Sequence, residues 1–283
     1  MDKNSILGNI NRIFEECEGN TILEKNAICP EVACINMFEA PIVGFGSAND
    51  SLFEAFKEED IIGPWYMKPS EWLPEAKTVI SLFFPFTEQV KENSRSFTEG
   101  PSPAWLHGRV EGQDYINTYM AMLSDWLTQQ EIGNCVPSSD FRFAKVVAGN
   151  NMREFPCVNE KTFGSNWSER HAAYVCGLGT FGLSKGIITK KGMAGRFGSI
   201  IIDLEIDADE RAYSGIYDYC TKCGACIRRC PAKAITAEYG KNHNVCNEWL
   251  QEMSRIHAPR YGCGLCQTKV PCESRIPNLK TKR

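Results

Sequence analysis

Apolar residues recur at helical spacing in three stretches of the chain. Ile6, Ile10 and Ile13 mark one face of residues 5–17, before Gly19, and predict an amphipathic helix. Residues 113–130 carry a wide apolar face that includes Tyr115 and Tyr119, which predicts a long helix. A further helix is expected near 167–176. We interpret the aromatic residues on these faces as core.

Four apolar, partly β-branched runs bounded by Pro, Gly or polar residues predict buried strands. They are "PIVGFGS" (41–47), "TVISLFFPF" (78–86), "RFAKVVA" (142–148) and "FGSIIIDL" (197–204). Asn49 or Asp50 is expected to cap a short helix after the first run. The mixture indicates an α/β or α+β domain over residues 1–210, followed by a cysteine-rich domain over 211–283.

Residues 92–112, "ENSRSFTEGPSPAWLHGRVEG", are polar and rich in Pro and Gly. This composition predicts a long loop, which either covers a binding site or is a disordered connection. Trp105 and His107 lie within it.

Charge and hydropathy narrow the range of partners. The net charge of −4 and the pI near 5.7 provide no basic surface for nucleic acid, so nucleic acid is not expected as a partner. "MDKNSILGNI" does not read as a signal peptide, and no apolar run is long enough to span a bilayer. We therefore expect a cytoplasmic protein that does not enter the membrane.

The segment "CTKCGACIRRCP" (220–231) has the spacing of a bacterial ferredoxin, C-x2-C-x2-C-x3-C-P. In that run three thiolates hold one [4Fe–4S] cube and the fourth turns to another. Gly224 permits close approach of the backbone, and Pro231 ends the helix that carries Cys230. The alternative is a zinc ribbon, which uses two C-x2-C pairs separated by a longer stretch.

A second cube needs four more thiolates, which the downstream cysteines supply. Crossed ligation assigns Cys220, Cys223, Cys226 and Cys272 to the first cluster, and Cys230, Cys246, Cys263 and Cys266 to the second. "CGLCQTKVPC" departs from the ferredoxin repeat in the spacing before Cys272, so that ligand is the least secure. Of the six cysteines outside these sets, four are interpreted as packing: Cys29, Cys34, Cys135 and Cys157. Cys176 adjoins a glycine turn and could approach a cofactor, and Cys17 lies on the helical face of residues 5–17.

That glycine turn is "GLGTFG", in which Gly177, Gly179 and Gly182 would let backbone amides approach a flat or anionic ligand. The same letters fit G-x-G-x-x-G, but a dinucleotide fold places that motif directly after a strand. The preceding "SERHAAYVC" looks helical, which disfavours a dinucleotide site.

The order of an E-R helix, A-x-x-x-GLG, a strand with G-S-I-I and the ferredoxin run resembles epoxyqueuosine reductases and, more distantly, reductive dehalogenases. The resemblance implies a nitroreductase-like, cobalamin-binding sheet domain followed by a two-cluster ferredoxin-like domain, with the corrinoid between them. It also implies a set of cofactor-binding residues and two candidate catalytic residues, Asn166 and Arg196. The cofactor-binding set is Gly177, Gly179, Thr180, Gly182, Lys185 and Ser199.

One departure from this family bears on the chemistry. Epoxyqueuosine reductases carry an aspartate six residues before the glutamate of E-R as a general acid, and here that position is Phe163. No tyrosine can be assigned as a dehalogenase-like proton donor either. A tRNA-modifying role also fits poorly with an acidic chain.

Two main hypotheses follow. The first is a corrinoid-dependent iron–sulfur reductase that acts on a small molecule and takes electrons from a low-potential donor such as ferredoxin or flavodoxin, in an anaerobic setting. The second is an electron-transfer protein without its own corrinoid that reduces or reactivates a partner corrinoid protein. A nitroreductase-like flavin site in place of the corrinoid is a third, weaker possibility.

Overall fold

An antiparallel sheet of four strands, in the order β1-β2-β8-β3, lies at the centre of the computed structural model, which describes residues 1–147 and 162–278. Three two-stranded pairs, β4-β5, β6-β7 and β9-β10, surround it. The strands are β1 (Ile42–Ser47), β2 (Thr78–Pro85), β3 (Asn134–Cys135), β4 (Lys145–Val147), β5 (Phe163–Ser165), β6 (Gly179–Phe181), β7 (Ile187–Thr189), β8 (Gly195–Ile202), β9 (Ile235–Thr236) and β10 (Gly240–Lys241).

Nine α-helices lie in the described ranges. They are α1 (Lys3–Glu16), α2 (Ser51–Ala55), α3 (Pro69–Trp72), α4 (Glu88–Arg95), α5 (Pro103–Arg109), α6 (Glu111–Gln129), α7 (Glu169–Val175), α8 (Ala225–Arg228) and α9 (His243–His257). Short 3₁₀ turns occur at Glu24–Asn26, Pro30–Val32 and Pro137–Ser139. The predicted helices and strands before residue 210 are therefore present, although residue 148 of the third predicted strand and Cys157 lie outside the described residues.

Both faces of the sheet are covered by helices, which is why its central strand β2 is buried throughout. On one face, Ile80, Leu82 and Phe84 pack into a core with α1 and α6. On the other face, Val79 and Phe83 contribute to the cores beneath α7. Successive side chains of a strand point to opposite faces, so one continuous apolar run supplies both cores.

Close approach of α7 to the sheet depends on two glycines of β1. A Cβ at Gly44 would lie 2.1 Å from the carbonyl oxygen of Cys176, and one at Gly46 would lie 3.0 Å from the Cys176 sulfur. The Cys176 side chain is fully buried at this contact. Cys176 is therefore part of the packing between α7 and the sheet, whereas its place beside the glycine turn had suggested an approach to a cofactor.

The prediction of a long loop over residues 92–112 is wrong. Helix α4 extends to Arg95, α5 occupies Pro103–Arg109, and α6 begins at Glu111. The Ser102 hydroxyl accepts a hydrogen bond from the Trp105 amide at 3.1 Å, and Pro103 follows at the first helical position. Serine followed by proline is thus a helix start here, whereas composition alone favoured a turn.

Three arginine contacts attach residues 211–278 to helices α4 to α6. Arg95 donates from Nε to a Glu273 carboxylate oxygen at 2.9 Å. Arg229 donates from Nη2 to the Phe97 carbonyl at 3.1 Å, and Arg260 donates from Nε to Glu111 at 2.7 Å. The cysteine-rich segment is therefore fixed against the first part of the chain. The boundary at residue 210 remains a prediction.

Replacing Glu273 by glutamine should lower the free energy of unfolding by about 2 kcal/mol, because it leaves the partly buried Arg95 guanidinium without one of its carboxylates. Glu273 is only 7% exposed and also accepts from the Lys269 amide at 2.8 Å. Denaturant unfolding under anaerobic conditions measures the change. Glu252→Gln is the matched control, because Glu252 forms an exposed pair with Arg255 and its loss should leave stability unchanged.

In the described ranges, no helix combines the length and apolar character needed to cross a bilayer.

Candidate functional site

Cys220, Cys223, Cys226 and Cys272 line one shared cavity. The first three come from the loop before α8 and its first turn, and Cys272 arrives from the far end of the chain. Burial, together with the neighbouring Cys220, Cys226 and Cys223, raises the pKa of the Cys272 thiol to about 12. These are the four residues predicted for the first cluster, despite the unusual spacing before Cys272.

The other four predicted ligands form a second neighbourhood. Burial raises the pKa of Cys246, with additional contributions from Cys266 and Cys230. Burial, together with Cys266 and Cys246, raises the pKa of Cys263 to about 12. The structure therefore brings Cys230, Cys246, Cys263 and Cys266 together. The two neighbourhoods adjoin, since Cys266 also influences the pKa of Cys226.

The donor chemistry of these thiols fits an iron–sulfur cluster. Within residues 1–147 and 162–278, no three His, Cys, Asp or Glu side chains converge closely enough to hold one metal ion. Thiolate sulfur is the ligand that [4Fe–4S] clusters use, so the donor set fits two cubes. Which cysteine binds which iron remains a prediction.

The glycines predicted to bind a cofactor lie against protein atoms. Gly177 has φ +77° and forms the turn between α7 and β6. A Cβ at Gly179 would lie 2.0 Å from the Ile188 carbonyl oxygen, and the amide of Gly182 donates to the Gly186 carbonyl at 2.8 Å. Packing of the β6-β7 hairpin accounts for Gly179 and Gly182, and their cofactor contacts remain a prediction.

Three polar residues of the predicted cofactor set have protein partners. The Thr180 hydroxyl accepts from the Tyr219 amide at 2.9 Å, beside Cys220. The Ser199 hydroxyl accepts from the Trp167 indole at 2.9 Å on the α7 face of the sheet. Lys185 is half-buried, and its carbonyl oxygen accepts from Arg170 at 2.8 Å. Thr180 thus ties the glycine turn to the first cysteine neighbourhood.

Asn166, a predicted catalytic residue, is used by the local structure. Its side-chain oxygen accepts from the Ala144 amide at 2.9 Å, and its side-chain nitrogen donates to the Arg142 carbonyl at 2.8 Å. These bonds hold the ends of β4 and β5 together. The side chain is 5% exposed, so the geometry gives its predicted catalytic role no support.

Arg196, the second predicted catalytic residue, belongs to a group of five positive side chains that we call the cationic cluster. Burial, together with the nearby Arg109 and Arg170, lowers the pKa of Arg196 to about 9. Burial also lowers the pKa of Lys185, which has Lys241 and Arg170 as neighbours. The members are Arg109, Arg170, Lys185, Arg196 and Lys241.

The cationic cluster adjoins the second cysteine neighbourhood. Desolvation by surrounding protein lowers the pKa of Arg170, while Cys266 and Cys246 act in the opposite direction. A group of positive side chains with perturbed pKa values beside a group of cysteines is a candidate site for a cofactor or substrate.

Two aromatic rings stack beside the cationic cluster. Phe163, at the position of the family aspartate, stacks on His243 with ring centroids 5.4 Å apart and an interplanar angle of 4°. Burial, together with the adjacent Arg170, Lys241 and Lys185, lowers the pKa of His243 to about 3. Neither ring supplies a proton at neutral pH, because Phe163 has none to give and His243 is already neutral.

Glu169 is a buried carboxyl group that faces the sheet from the first turn of α7. Its oxygens make no hydrogen bond of normal geometry with the described residues. Burial raises its pKa to about 7, against the opposing influence of the Ser199 hydroxyl and the Trp167 indole. The group therefore changes charge near neutral pH.

The free energy of unfolding should fall between pH 4.5 and pH 7, because the folded protein keeps a proton on Glu169 that the unfolded chain releases. Above pH 7 the penalty is constant, at about 3 kcal/mol. Glu169→Gln should remove this slope and be more stable than the parent protein at pH 8. Denaturant unfolding at pH 5.5 and pH 8 tests this, with the exposed Glu58→Gln as control; an unchanged slope in Glu169→Gln would contradict it.

Sequence patterns had not singled out Arg109, Lys241, His243 or Tyr261 as site residues. They come from three different segments, and only the fold places them near Arg196 and Arg170. The one available signal was the low number of acidic residues around "KNHNVC", which by itself is weak.

Comparisons with known proteins support an iron–sulfur segment in the last part of the chain. The family model described as "4Fe-4S binding domain" matches residues 214–236. An epoxyqueuosine reductase from Leadbetterella byssophila is 32% identical over 74% of this chain and 62% of its own length. Another from Vibrio cholerae is 32% identical over 72% of this chain and 52% of its own length. The chain thus spans between half and two thirds of these relatives.

Solved structures share the fold at low identity. An epoxyqueuosine reductase in complex with a tRNA stem loop has a TM-score of 0.52 and 18% identity, with 98% of this chain and 68% of that chain covered. A reductive dehalogenase, whose structure was described in terms of B12-dependent dehalogenation, has a TM-score of 0.51 and 14% identity, with 83% and 30% covered. The mixed sheet domain and ferredoxin-like region therefore occur together in these solved structures, and the chain is similar in sequence and in fold to epoxyqueuosine reductases.

Proposed function

We propose that this protein is a corrinoid-dependent reductase in which two [4Fe–4S] clusters relay electrons to the corrinoid. The observation that carries the proposal is the placement of two adjoining groups of four cysteines beside the cationic cluster. The dehalogenase of similar fold, in which B12 takes part, supports a corrinoid at this position.

The residues of the cationic cluster and of the glycine turn fit a corrinoid in part. Arg196 carries a buried Nε atom with no acceptor among the described residues, which suits a ligand with oxygen acceptors. The predicted glycines do not form an open cradle, because they pack on the β6-β7 hairpin. When bound, a corrinoid supplies cobalt in low oxidation states that can attack or reduce a substrate. The protein's own residues would position the ligand and exclude water around it.

Anaerobic reconstitution of the iron-loaded chain with cobalamin tests the proposal. Iron analysis should give about eight irons per chain, and the visible and electron spin resonance spectra should show a cobalt(II) signal after reduction. A protein that retains its iron but gives no cobalt signal would contradict the corrinoid role. A bound yellow chromophore would instead indicate that the protein binds a flavin in place of the corrinoid.

A second candidate function is electron transfer to a separate corrinoid protein, and Phe163 favours it. An enzyme acting like epoxyqueuosine reductases would need a proton donor where this ring stacks on His243. Rapid reduction of a corrinoid carrier protein by the cofactor-free chain would support this candidate. Failure to reduce any such carrier would remove it.

The substrate is proposed to be a small molecule, and the electron donor a ferredoxin or flavodoxin. One relative of known structure binds a tRNA stem loop, which counts against the expectation that nucleic acid is no partner. A tRNA stem loop therefore belongs among the first ligands tested. Saturable binding that weakens steeply with added salt would show a phosphate-directed contact.

A further inference from the structure

The three guanidinium groups of the cationic cluster have only neutral protein partners. Arg196 donates from Nη2 to the Gln113 side-chain oxygen, and its buried Nε has no acceptor in the described residues. Arg170 donates to the Lys185 carbonyl at 2.8 Å. Arg109 lies over the Tyr261 ring at 4.5 Å. Across residues 1–147 and 162–278, none of the three forms an ion pair with Asp or Glu.

Positive groups in such surroundings are normally matched by negative charge, because loss of hydration disfavours an isolated buried ion. A cluster held by Cys246 and Cys266 would provide negative charge near Arg170. Arg196 has no cysteine among the neighbours that shift its pKa, and Arg109 has none either. The charge of an iron–sulfur cluster therefore does not account for these two arginines.

We propose that Arg109, Arg170 and Arg196 form a subsite for an oxyanion, a phosphate or carboxylate group carried by the bound ligand. Guanidinium groups recognise these oxyanions by paired, charge-assisted hydrogen bonds. Lys185 and Lys241 add positive potential around the subsite.

This subsite deepens the proposed function, and its link to a corrinoid rests on that proposal. Two sources share the chemistry. One is the phosphodiester of a complete corrinoid such as cobalamin, and the other is an anionic group on the substrate. Cobinamide separates them, because it keeps the corrin ring but lacks the phosphodiester.

The test is calorimetric titration of the iron-loaded full-length protein with inorganic phosphate, cobalamin and cobinamide. The parent protein should bind phosphate saturably, and Arg196→Gln should weaken that binding at least tenfold. The matched control is Arg255→Gln, because Arg255 is exposed and already pairs with the carboxylate of Glu252. Arg170→Gln is a second variant on an exposed side chain, which serves if Arg196→Gln does not fold.

The source follows from the corrinoid titrations. If cobalamin fills the subsite, bound cobalamin should block phosphate, and Arg196→Gln should weaken cobalamin but not cobinamide. If the substrate fills it, phosphate should still bind to the cobalamin-loaded protein, again in an Arg196-dependent way. Phosphate binding without any corrinoid binding would support the subsite and contradict the proposed function. Absence of phosphate binding, or equal binding by the parent, Arg196→Gln and Arg170→Gln proteins, would overturn the subsite.

Discussion

The Cys272→Ser variant, purified without oxygen, should contain about four iron atoms per chain instead of about eight. Cys272 lines the cavity that Cys220, Cys223 and Cys226 also line, so its loss should empty that position only. Colorimetric iron and acid-labile sulfide assays measure the change, and spin resonance of the reduced protein should show one cluster signal where the parent shows two.

Cys34→Ser is the control for this result, because Cys34 is exposed and lies outside both cysteine neighbourhoods. It should retain all its iron. Cys246→Ser should lose the complementary half, and the double variant with Cys272→Ser should be free of iron. A Cys272→Ser protein with its full iron content would exclude Cys272 as a ligand, and zinc in place of iron would exclude both clusters.

Replacing Gly192 by alanine should destabilise the protein by about 4 kcal/mol and also lower the iron content. Gly192 has φ +80°, and a Cβ there would lie 2.2 Å from the carbonyl oxygen of Glu273 and 2.4 Å from the Ser274 nitrogen. Since both obstacles are backbone atoms, no rotamer change relieves the contact. The segment that would be displaced also carries Cys272, whose carbonyl oxygen accepts a hydrogen bond from the Met193 amide at 2.9 Å.

Gly8→Ala is the matched control, since a Cβ at Gly8 would meet no atom within 4 Å and the residue lies inside helix α1. Alanine at that position should be neutral or slightly stabilising. Anaerobic denaturant unfolding and iron analysis of both variants give the comparison. A Gly192→Ala protein as stable as its parent would show that residues 272–274 can move away without cost.

The sequence predicted those features that depend on local spacing. The intervals among Cys220, Cys223 and Cys226 place these thiols around one cavity, and the apolar run of β2 covers both faces of the sheet. Such patterns report directly on turns and on strand burial. The buried strand and the first cysteine group were therefore accessible without coordinates.

Other features depend on which distant segments meet. Asn166 resembled a catalytic asparagine, but its amide joins β4 to β5. Arg109 gave no signal, because a single arginine in a helix is usually a solvated surface residue. Arg170 was noted only as part of the E-R helix motif. Helix α5 was missed because its Ser-Pro start has the composition of a turn.

The arginine contacts that attach the cysteine-rich segment to helices α4 to α6 also bear on kinetics. A body anchored at Arg95, Arg229 and Arg260 cannot swing like a tethered carrier domain, since motion about one anchor strains the other two. Under the proposed function, internal electron transfer would cross a constant gap. Its rate should then be the same in buffer and in concentrated sucrose, and only the encounter with the external donor should slow as the solvent thickens.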